Sequence, residues 1–279
     1  MRIVAAEELT PVVDALCREA CCVLPESLVT ALKSAADREA PNSAARAVLG
    51  QLAENADLAA ATQRPCCQDT GMAVVFIDIG QELHIEGDLY AAVNAGVALG
   101  YTGGHMRASV LGATSRQNTG DNTPAVVHIR LVPGDRLRIS AMPKGFGSEN
   151  MSKLHMLTPA DGREGILRVI AETVTAAGAC ACPPLVIGVG IGGTMEAAAL
   201  LAKRQLLRPL GQAADTPTLA ELEQEALARV NALGIGPMGL GGHTTALAVH
   251  IGEEPTHIAG LPVAVNLCCH AYRHAERTL

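Results

Sequence analysis

The chain has 279 residues, 49% of them hydrophobic, and a formal net charge of −7. This length and composition allow a sizeable buried core in one large domain or two smaller ones. The acidic charge, without a basic stripe, argues against a nucleic-acid partner. No apolar run reaches the roughly 18 residues needed to cross a membrane, and the acidic residues near the N-terminus are unlike an export signal, so a cytoplasmic protein is expected.

The first 64 residues are predicted to be helical. Apolar side chains recur at helical spacing over residues 7–64, and Pro25 and Pro41 mark helix boundaries. A soft boundary near residue 65 separates this helical part, residues 1–64, from an α/β part, residues 65–279, although one domain also fits. The expected fold class is mixed α/β, with the helical part packed on a part that has a mixed sheet and glycine-rich loops.

Beyond residue 65, strands and helices alternate irregularly. Predicted strands span residues 73–80, 82–86, 125–132, 136–141, 185–190, 245–251 and 262–266, and predicted helices span residues 89–99, 161–177, 195–207 and 217–233. Residues 125–141 are expected to form a hairpin around Pro133 and Gly134, and the turn at residues 268–270 to end the ordered pattern. Binding groups are expected on the glycine-rich loops at residues 103–107 and 145–150, and residues 234–242 form a further glycine-rich loop.

A G-x-G-x-x-G motif at Gly188–Gly193 lies between a predicted strand and a predicted helix, which is the context of a dinucleotide site. The acid expected about 20 residues later is missing, since residues 208–213 contain no acid and follow no strand. The preferred interpretation is a glycine turn that lets backbone amides at the helix start face an anion. A nucleotide-dependent oxidoreductase is the weaker alternative.

Nine cysteines without an export signal favour reduced thiols over disulfides. Cys17, Cys21 and Cys22 fall in a helical pattern and are expected in the core. The others occur in three turns, and structural zinc, which prefers close C-x₂₋₄-C pairs, fits them poorly. Adjacent residues of an extended segment face opposite sides, so each turn can present one thiolate. Three thiolates would leave one iron of a [4Fe–4S] cluster open as a Lewis acid.

Six segments together resemble a known family. They are Pro-Cys-Cys-Gln-Asp-Thr-Gly at 65–71, Gly-His-Met-Arg-Ala-Ser-Val at 104–110, Pro-Lys-Gly-Phe-Gly-Ser-Glu-Asn at 143–150, Ala-Cys-Pro-Pro at 181–184, Gly-Ile-Gly-Gly-Thr at 190–194 and His-Ile-Ala-Gly-Leu-Pro-Val-Ala-Val-Asn at 257–266. In this order they resemble the α subunit, or N-terminal catalytic half, of class I fumarate hydratases and L-tartrate dehydratases. The resemblance implies a reversible hydro-lyase whose [4Fe–4S] cluster is held by three cysteines.

The resemblance also implies which residues form the site. Its cluster ligands fall on Cys67, Cys182 and Cys269. The other cysteine of each turn, Cys66, Cys180 or Cys268, would then be a neighbour without a cluster role. The family usually has a single cysteine at the third turn, so Cys268 stays an alternative to Cys269.

Asp69 is implied as the proton donor or acceptor, and substrate contacts are implied for Gln68, Arg107, Gly147 and His257. Plainer alternatives are a turn-forming Asp69, a surface Arg107 and a buried core His257. A dicarboxylate brings two negative charges to an acidic chain, and the fork of Arg107 suits a carboxylate. Loss of hydroxide from a 2-hydroxy acid is aided by iron and by a nearby proton donor. The family often has Lys at the position of His243.

The opposing base and further carboxylate contacts are missing from this set, and in the family they come from the β part. The chain is therefore expected to be a separate α subunit that needs a β subunit, in an α2β2 assembly containing a homodimer of α. The expected activity is fumarate hydratase, which interconverts fumarate and (S)-malate. L-Tartrate dehydratase is the close alternative, and a non-catalytic iron–sulfur or anion-binding module is a remote one.

Overall fold

The structure, a computed structural model, describes residues 2–279 and has a mixed α/β fold, as the sequence predicts. Its helices are α1 (Leu9–Cys22), α2 (Glu26–Arg38), α3 (Ala44–Thr62), α4 (Leu89–Gly103), α5 (Phe146–Glu149), α6 (Gly162–Ala177), α7 (Met195–Gln205) and α8 (Pro217–Ala232). Its strands are β1 (Arg2–Ala5), β2 (Met72–Gly80), β3 (Leu83–Glu86), β4 (Val126–Val132), β5 (Leu137–Lys144), β6 (Lys153–Leu157), β7 (Leu185–Gly193), β8 (Ala246–Thr256), β9 (Leu261–Cys268) and β10 (Ala275–Thr278). Over residues 2–279, no helix combines the length and the apolar character that crossing a membrane requires.

The helical front of the chain is confirmed, because Pro25 separates α1 from α2 and Pro41 separates α2 from α3. Strands β1, β6 and β10 are absent from the sequence-based assignment, since each has only four or five residues, too few to establish a period. The expectation that order ends at residue 270 is therefore wrong. Strand β10 pairs antiparallel with β5 and returns the chain to a sheet.

The chain divides into two compact units that are interleaved along the sequence. The first unit contains residues 2–25, Ala56–Phe146 and Arg273–Leu279, and the second contains Glu26–Asn55 and Gly147–Tyr272. None of these divisions falls at residue 65. The domain boundary expected there stays a prediction.

In the first unit the main sheet has the strand order β10-β5-β2-β4. Helices α1 and α4 cover one face of it, and the alternate residues Ala73, Val75 and Ile77 of β2 face them. The two helices approach closely, since a Cβ on Gly96 would lie 2.6 Å from the carbonyl oxygen of Thr10. Cys17, Cys21 and Cys22 are buried in this region, as their spacing predicts.

The predicted hairpin of residues 125–141 is wrong. Strand β2 lies between the two strands, parallel to β4 and antiparallel to β5. The connection through Gly134 instead closes over the end of β2, where Gly80 donates to Arg136 O at 2.8 Å and Glu82 donates to Gly134 O at 2.9 Å. The interior strands β2 and β5 are buried along almost all of their length, whereas β4, at the edge of the sheet, has no fully buried residue.

In the second unit the sheet order is β6-β9-β7-β8, with β7 parallel to β8 and antiparallel to β9. Helices α6 and α8 pack on one face through alternate apolar residues of β7. Helix α7 packs on the other face, where the glycine motif makes room for it. A Cβ on Gly188 would lie 2.1 Å from Ala202 O, and one on Gly190 would lie 2.2 Å from Ala198 O. Gly188 and Gly190 therefore lie inside a strand and permit helix–strand packing, whereas Gly192 and Gly193, with φ of 90° and 62°, precede α7, and an anion site there stays a prediction.

Candidate active site

The segment Arg64–Gly71 connects α3 to β2 and is held in place through its main chain. Three consecutive carbonyls each accept a hydrogen bond from a buried side chain. Arg273 donates to Asp69 O, Tyr101 donates to Thr70 O at 2.8 Å, and Asn122 donates to Gly71 O at 3.0 Å. Because each partner is fixed in the core of the first unit, the turn has a single defined position.

The carboxylate of Asp69 accepts two backbone hydrogen bonds. Its Oδ1 accepts from Gly71 N–H at 3.0 Å, and its Oδ2 accepts from Phe146 N–H at 2.9 Å. The first of these is the Asx turn that the plainer alternative for Asp69 describes. A carboxylate has about four acceptor positions, so two hydrogen bonds leave capacity for a ligand. Turn formation and proton transfer are therefore compatible roles.

A cavity of about 640 Å³ in the first unit brings together two distant motifs. Cys67, Gln68 and Arg107, all singled out in the sequence, line it. The described lining contains two arginines and no carboxylate; its members are Gln63, Arg64, Pro65, Cys67, Gln68, Thr70, Gly104, His105, Met106 and Arg107. Its charge suits an anion.

The side chains of Thr70 and Asn122 join the Arg64–Gly71 segment to residues 107–110 by hydrogen bonds. Thr70 Oγ1 accepts from Arg107 N–H at 3.0 Å. Asn122 Oδ1 accepts from Ser109 N–H at 2.7 Å and from Val110 N–H at 3.1 Å, while its amide nitrogen holds Gly71 O. The position of Arg107 relative to the Cys67 turn is thus set by buried hydrogen bonds.

Arg64 and His105 line the same cavity but are absent from the sequence-based set. Both are exposed cationic or ionisable side chains next to a recognised motif, and that adjacency is the signal by which they could have been found. His105 also has a left-handed backbone, with φ of 52°. A non-glycine residue in this region is uncommon and often lies at a functional site.

In the second unit the second and third cysteine turns are linked. Cys182 has a left-handed φ of 53°, and its carbonyl accepts from His270 N–H at 3.2 Å. Its neighbour Pro183 accepts from Met238 N–H at 2.8 Å. Cys182 and Cys269 are partly buried, and Cys268 is 5% exposed inside β9. The geometry of the third turn thus makes Cys269 the more accessible thiol of its pair.

All nine cysteines are thiols. Burial raises the pKa of Cys17 and of Cys22, and it raises the pKa of Cys21 to about 12, which favours the protonated thiol in all three. Within residues 2–279, no group of three His, Cys, Asp or Glu side chains is arranged to hold a metal ion. Cys67 belongs to the first unit, and Cys182 and Cys269 belong to the second.

Three further predicted residues lie in the second unit. Gly147 is exposed at the start of α5, where a Cβ would lie 3.5 Å from Cys180 O. His257 is exposed in the turn between β8 and β9, and its Nδ1 accepts from Ala259 N–H at 3.2 Å. The alternative that His257 is a core histidine is therefore wrong. His243 directly follows the glycine-rich loop of residues 234–242, and its amide and that of Thr244 bind a buried carboxylate.

That carboxylate is Glu39, which is 3% exposed. It accepts from His243 N–H at 3.0 Å and from Thr244 N–H at 2.8 Å. Burial alone would raise the pKa of Glu39, but these hydrogen bonds outweigh it and lower the pKa. Glu39 thus fixes the loop that also contacts the Cys182 turn through Met238.

Comparisons with known proteins identify the family of the chain. A protein-family model described as Fumarate hydratase (Fumerase) matches residues 10–278. A Methanocaldococcus jannaschii protein named "Putative L(+)-tartrate dehydratase subunit alpha" is 40% identical to this chain, and the match covers 98% of each. The L(+)-tartrate dehydratase subunit alpha of Escherichia coli K12 is 31% identical, over 91% of this chain and 87% of that protein. The chain therefore belongs to the fumarate hydratase (Fumerase) family of hydro-lyases.

Proposed function

We propose that this chain is the α subunit of an iron–sulfur hydro-lyase that acts on a four-carbon 2-hydroxydicarboxylate. The observation that carries the proposal is the cationic cavity where Cys67, Gln68 and Arg107 meet beside the Asp69 turn. The family match supports the reaction class. A cavity without acidic lining that has a partly exposed thiol in its wall suits a dianionic substrate that must lose or gain water, and Asp69 stands in the chain between two lining residues, Gln68 and Thr70.

Arg107 binds one substrate carboxylate, because its guanidinium can donate two parallel hydrogen bonds to the two oxygens. Arg64 lines the same cavity and adds positive charge for the substrate, and the His105 ring, also in the lining, can hydrogen-bond it. Gln68 can donate to a carboxylate or hydroxyl oxygen. We also assign substrate contacts to Gly147 and His257, as the family resemblance implies.

Asp69 moves the proton. It is the acid of the Cys67 motif, and its carboxylate is oriented by Gly71 N–H and Phe146 N–H. A positioned acid or base typically contributes about 10²–10⁴-fold to the rate.

Cys67, Cys182 and Cys269 are the proposed ligands of a [4Fe–4S] cluster. Each is a partly buried thiol in a turn rather than a core residue. When bound, the cluster supplies a Lewis-acidic iron that makes the substrate hydroxyl a better leaving group. The chain holds its second-unit ligands in defined turns through the Cys182 and Pro183 carbonyls.

The relatives named above are α subunits, and we propose that this chain likewise assembles with a β subunit that supplies the opposing base. An α2β2 assembly with a homodimer of α, and a cytoplasmic location, remain predictions.

Fumarate hydratase is the first candidate activity, and L-tartrate dehydratase is the second, favoured by the names of both relatives. L-Tartrate carries one more hydroxyl than malate. A site built to hydrogen-bond that hydroxyl should reject malate by about 10⁴-fold or more, because its polar groups would be left unpaired.

The test is an anaerobic assay of the cluster-loaded chain with its β subunit on malate, fumarate and L-tartrate, without a redox cofactor. Turnover on the order of 10 s⁻¹ is expected on one of them. No turnover on any of the three would refute the proposal. Arg107→Gln should raise KM at least about tenfold through loss of a charged hydrogen-bonding group. Arg116→Gln, an exposed arginine outside the cavity lining, is the matched control.

A further inference from the structure

The main chain of Asp69 is held by a buried charge. Arg273 is 3% exposed; its Nε donates to Pro143 O at 3.0 Å, and a terminal nitrogen donates to Asp69 O. Three residues beyond Pro143, the N–H of Phe146 donates to the Asp69 carboxylate. One guanidinium therefore joins the two segments that meet at this carboxylate.

We infer that Arg273 is a positioning residue for Asp69, which fixes the carboxylate between the Gly71 and Phe146 amides. The catalytic consequence rests on the proposed function. The positioning itself concerns contacts of the first unit and can be measured without any activity.

An arginine suits this position because it donates in two directions from one rigid plane. A lysine has the charge but a single nitrogen, which cannot reproduce the fork. Gly145 leaves the space in which the groups meet, since a Cβ there would lie 3.1 Å from Asp69 Oδ2 and 3.6 Å from an Arg273 terminal nitrogen. The absence of a side chain at Gly145 and the two donor directions of Arg273 therefore both suit the contact between the 143–146 segment and Asp69.

The charge of Arg273 reaches beyond its hydrogen bonds. Burial raises the pKa of Cys21 to about 12, and Arg273 opposes that rise. Burial likewise raises the pKa of Tyr101, again against the effect of Arg273. Tyr101 holds the next carbonyl of the same turn, that of Thr70. The guanidinium thus lies among the groups that hold the turn.

The first experiment measures amide hydrogen exchange in the full chain. In Arg273→Gln, exchange at the Gly71 and Phe146 amides should rise at least about tenfold relative to the Ala92 amide of α4, which bonds to Asp88 O. Arg130→Gln is the control, since it removes another arginine of this unit that makes two hydrogen bonds, both to Asp78. It should leave that ratio unchanged.

Arg273→Lys covers the case in which the glutamine variant fails to fold. It should show the same selective rise, to a smaller extent. The inference would be overturned if, in whichever variant folds, the exchange rates of the Gly71 and Phe146 amides relative to that of Ala92 stayed unchanged, whatever the enzyme's activity.

The second experiment is a double-mutant cycle with the β subunit present, interpreted where the wild-type pair shows turnover. Arg273→Gln should lower kcat about 10²-fold, as misplacement by about 1 Å can, with KM within about threefold. In an Asp69→Asn background the same change should lower kcat by less than about threefold, because a residue that acts through Asp69 has nothing left to position. Additive losses would refute a role through Asp69. A wild-type pair without turnover would instead count against the proposed function.

Discussion

Replacement of Asp69 by Asn separates the chemistry of this side chain from its role in the turn. The carboxylate accepts from Gly71 N–H at 3.0 Å and from Phe146 N–H at 2.9 Å, one at each oxygen. Asparagine has one oxygen, so it keeps the Asx turn but turns its NH₂ group toward Phe146 N–H. The unmade hydrogen bond should cost about 1–3 kcal/mol, which is a fraction of the ~5–15 kcal/mol of a typical domain.

A loss of about 1–3 kcal/mol leaves the protein folded, so unfolding cannot account for a lower kcat. If Asp69 transfers the proton, kcat should fall by about 10²–10⁴, which corresponds to roughly 3–5 kcal/mol of barrier. KM and cluster content should change far less. The assay is steady-state kinetics of the chain with its β subunit, together with iron content and a urea unfolding curve for the same preparations.

The matched control is Asp121→Asn, because Asp121 also forms an Asx turn in the first unit, with Oδ1 accepting from Thr123 N–H at 3.0 Å and from Thr123 Oγ1 at 2.7 Å. Both hydrogen bonds go to one oxygen, which asparagine keeps, so this variant should lose less stability than Asp69→Asn and keep its kcat. An Asp69→Asn enzyme that retains more than about a third of wild-type kcat would show that Asp69 only shapes the turn. His257 would then be the next candidate for proton transfer.

Three further outcomes are expected. Asn122→Ala removes three buried hydrogen bonds and places alanine at a left-handed φ of 64°, so the free energy of unfolding in urea should fall by about 3–5 kcal/mol. The control Asn42→Ala, at an exposed residue with φ of 65°, should lose only about 1–2 kcal/mol, and equal losses would contradict the prediction. Glu39→Gln should lose about 1–3 kcal/mol at pH 7; because the folded pKa of Glu39 is lowered, the advantage of wild type should be full above the ordinary glutamate pKa and be lost as pH falls through the lowered folded pKa, and a pH-independent difference in urea midpoints would be the contrary result. Cys269→Ser should abolish iron–sulfur absorbance after anaerobic reconstitution, whereas Cys268→Ser should preserve it because Cys268 is 5% exposed in β9; the reverse pattern would exchange the ligand assignment.

The long periodic elements could be predicted from the sequence because their side-chain pattern is local. Residues 7–64, β2 and α6 follow their apolar spacing closely. Strand β10 could not be found in this way, since Ala-Glu-Arg-Thr carries no apolar alternation and its order comes from pairing with β5. The predicted hairpin of residues 125–141 was wrong for a related reason. Neighbouring strands in sequence usually pair, but β2 takes the place between them.

The glycine motif at Gly188–Gly193 had two physical uses that sequence cannot distinguish. A glycine can open a turn toward an anion, or it can let a helix touch a strand. The packing of Ala198 and Ala202 of α7 against β7 decides for the second use at Gly188 and Gly190. Only the three-dimensional neighbour, which lies in a separate element, carries that information.

The candidate site shows the same division between what is local and what is distant. Cys67, Gln68 and Asp69 could be singled out because three chemically different groups stand together between Pro65 and Gly71. The groups that hold their turn come from positions about 30, 50 and 200 residues further along the chain, and each is an ordinary buried side chain in its own segment. Variants in the motif should therefore alter chemistry with little loss of stability. Variants at the distant partners should alter both, because the same hydrogen bonds that complete the core also set the direction of the Asp69 carboxylate.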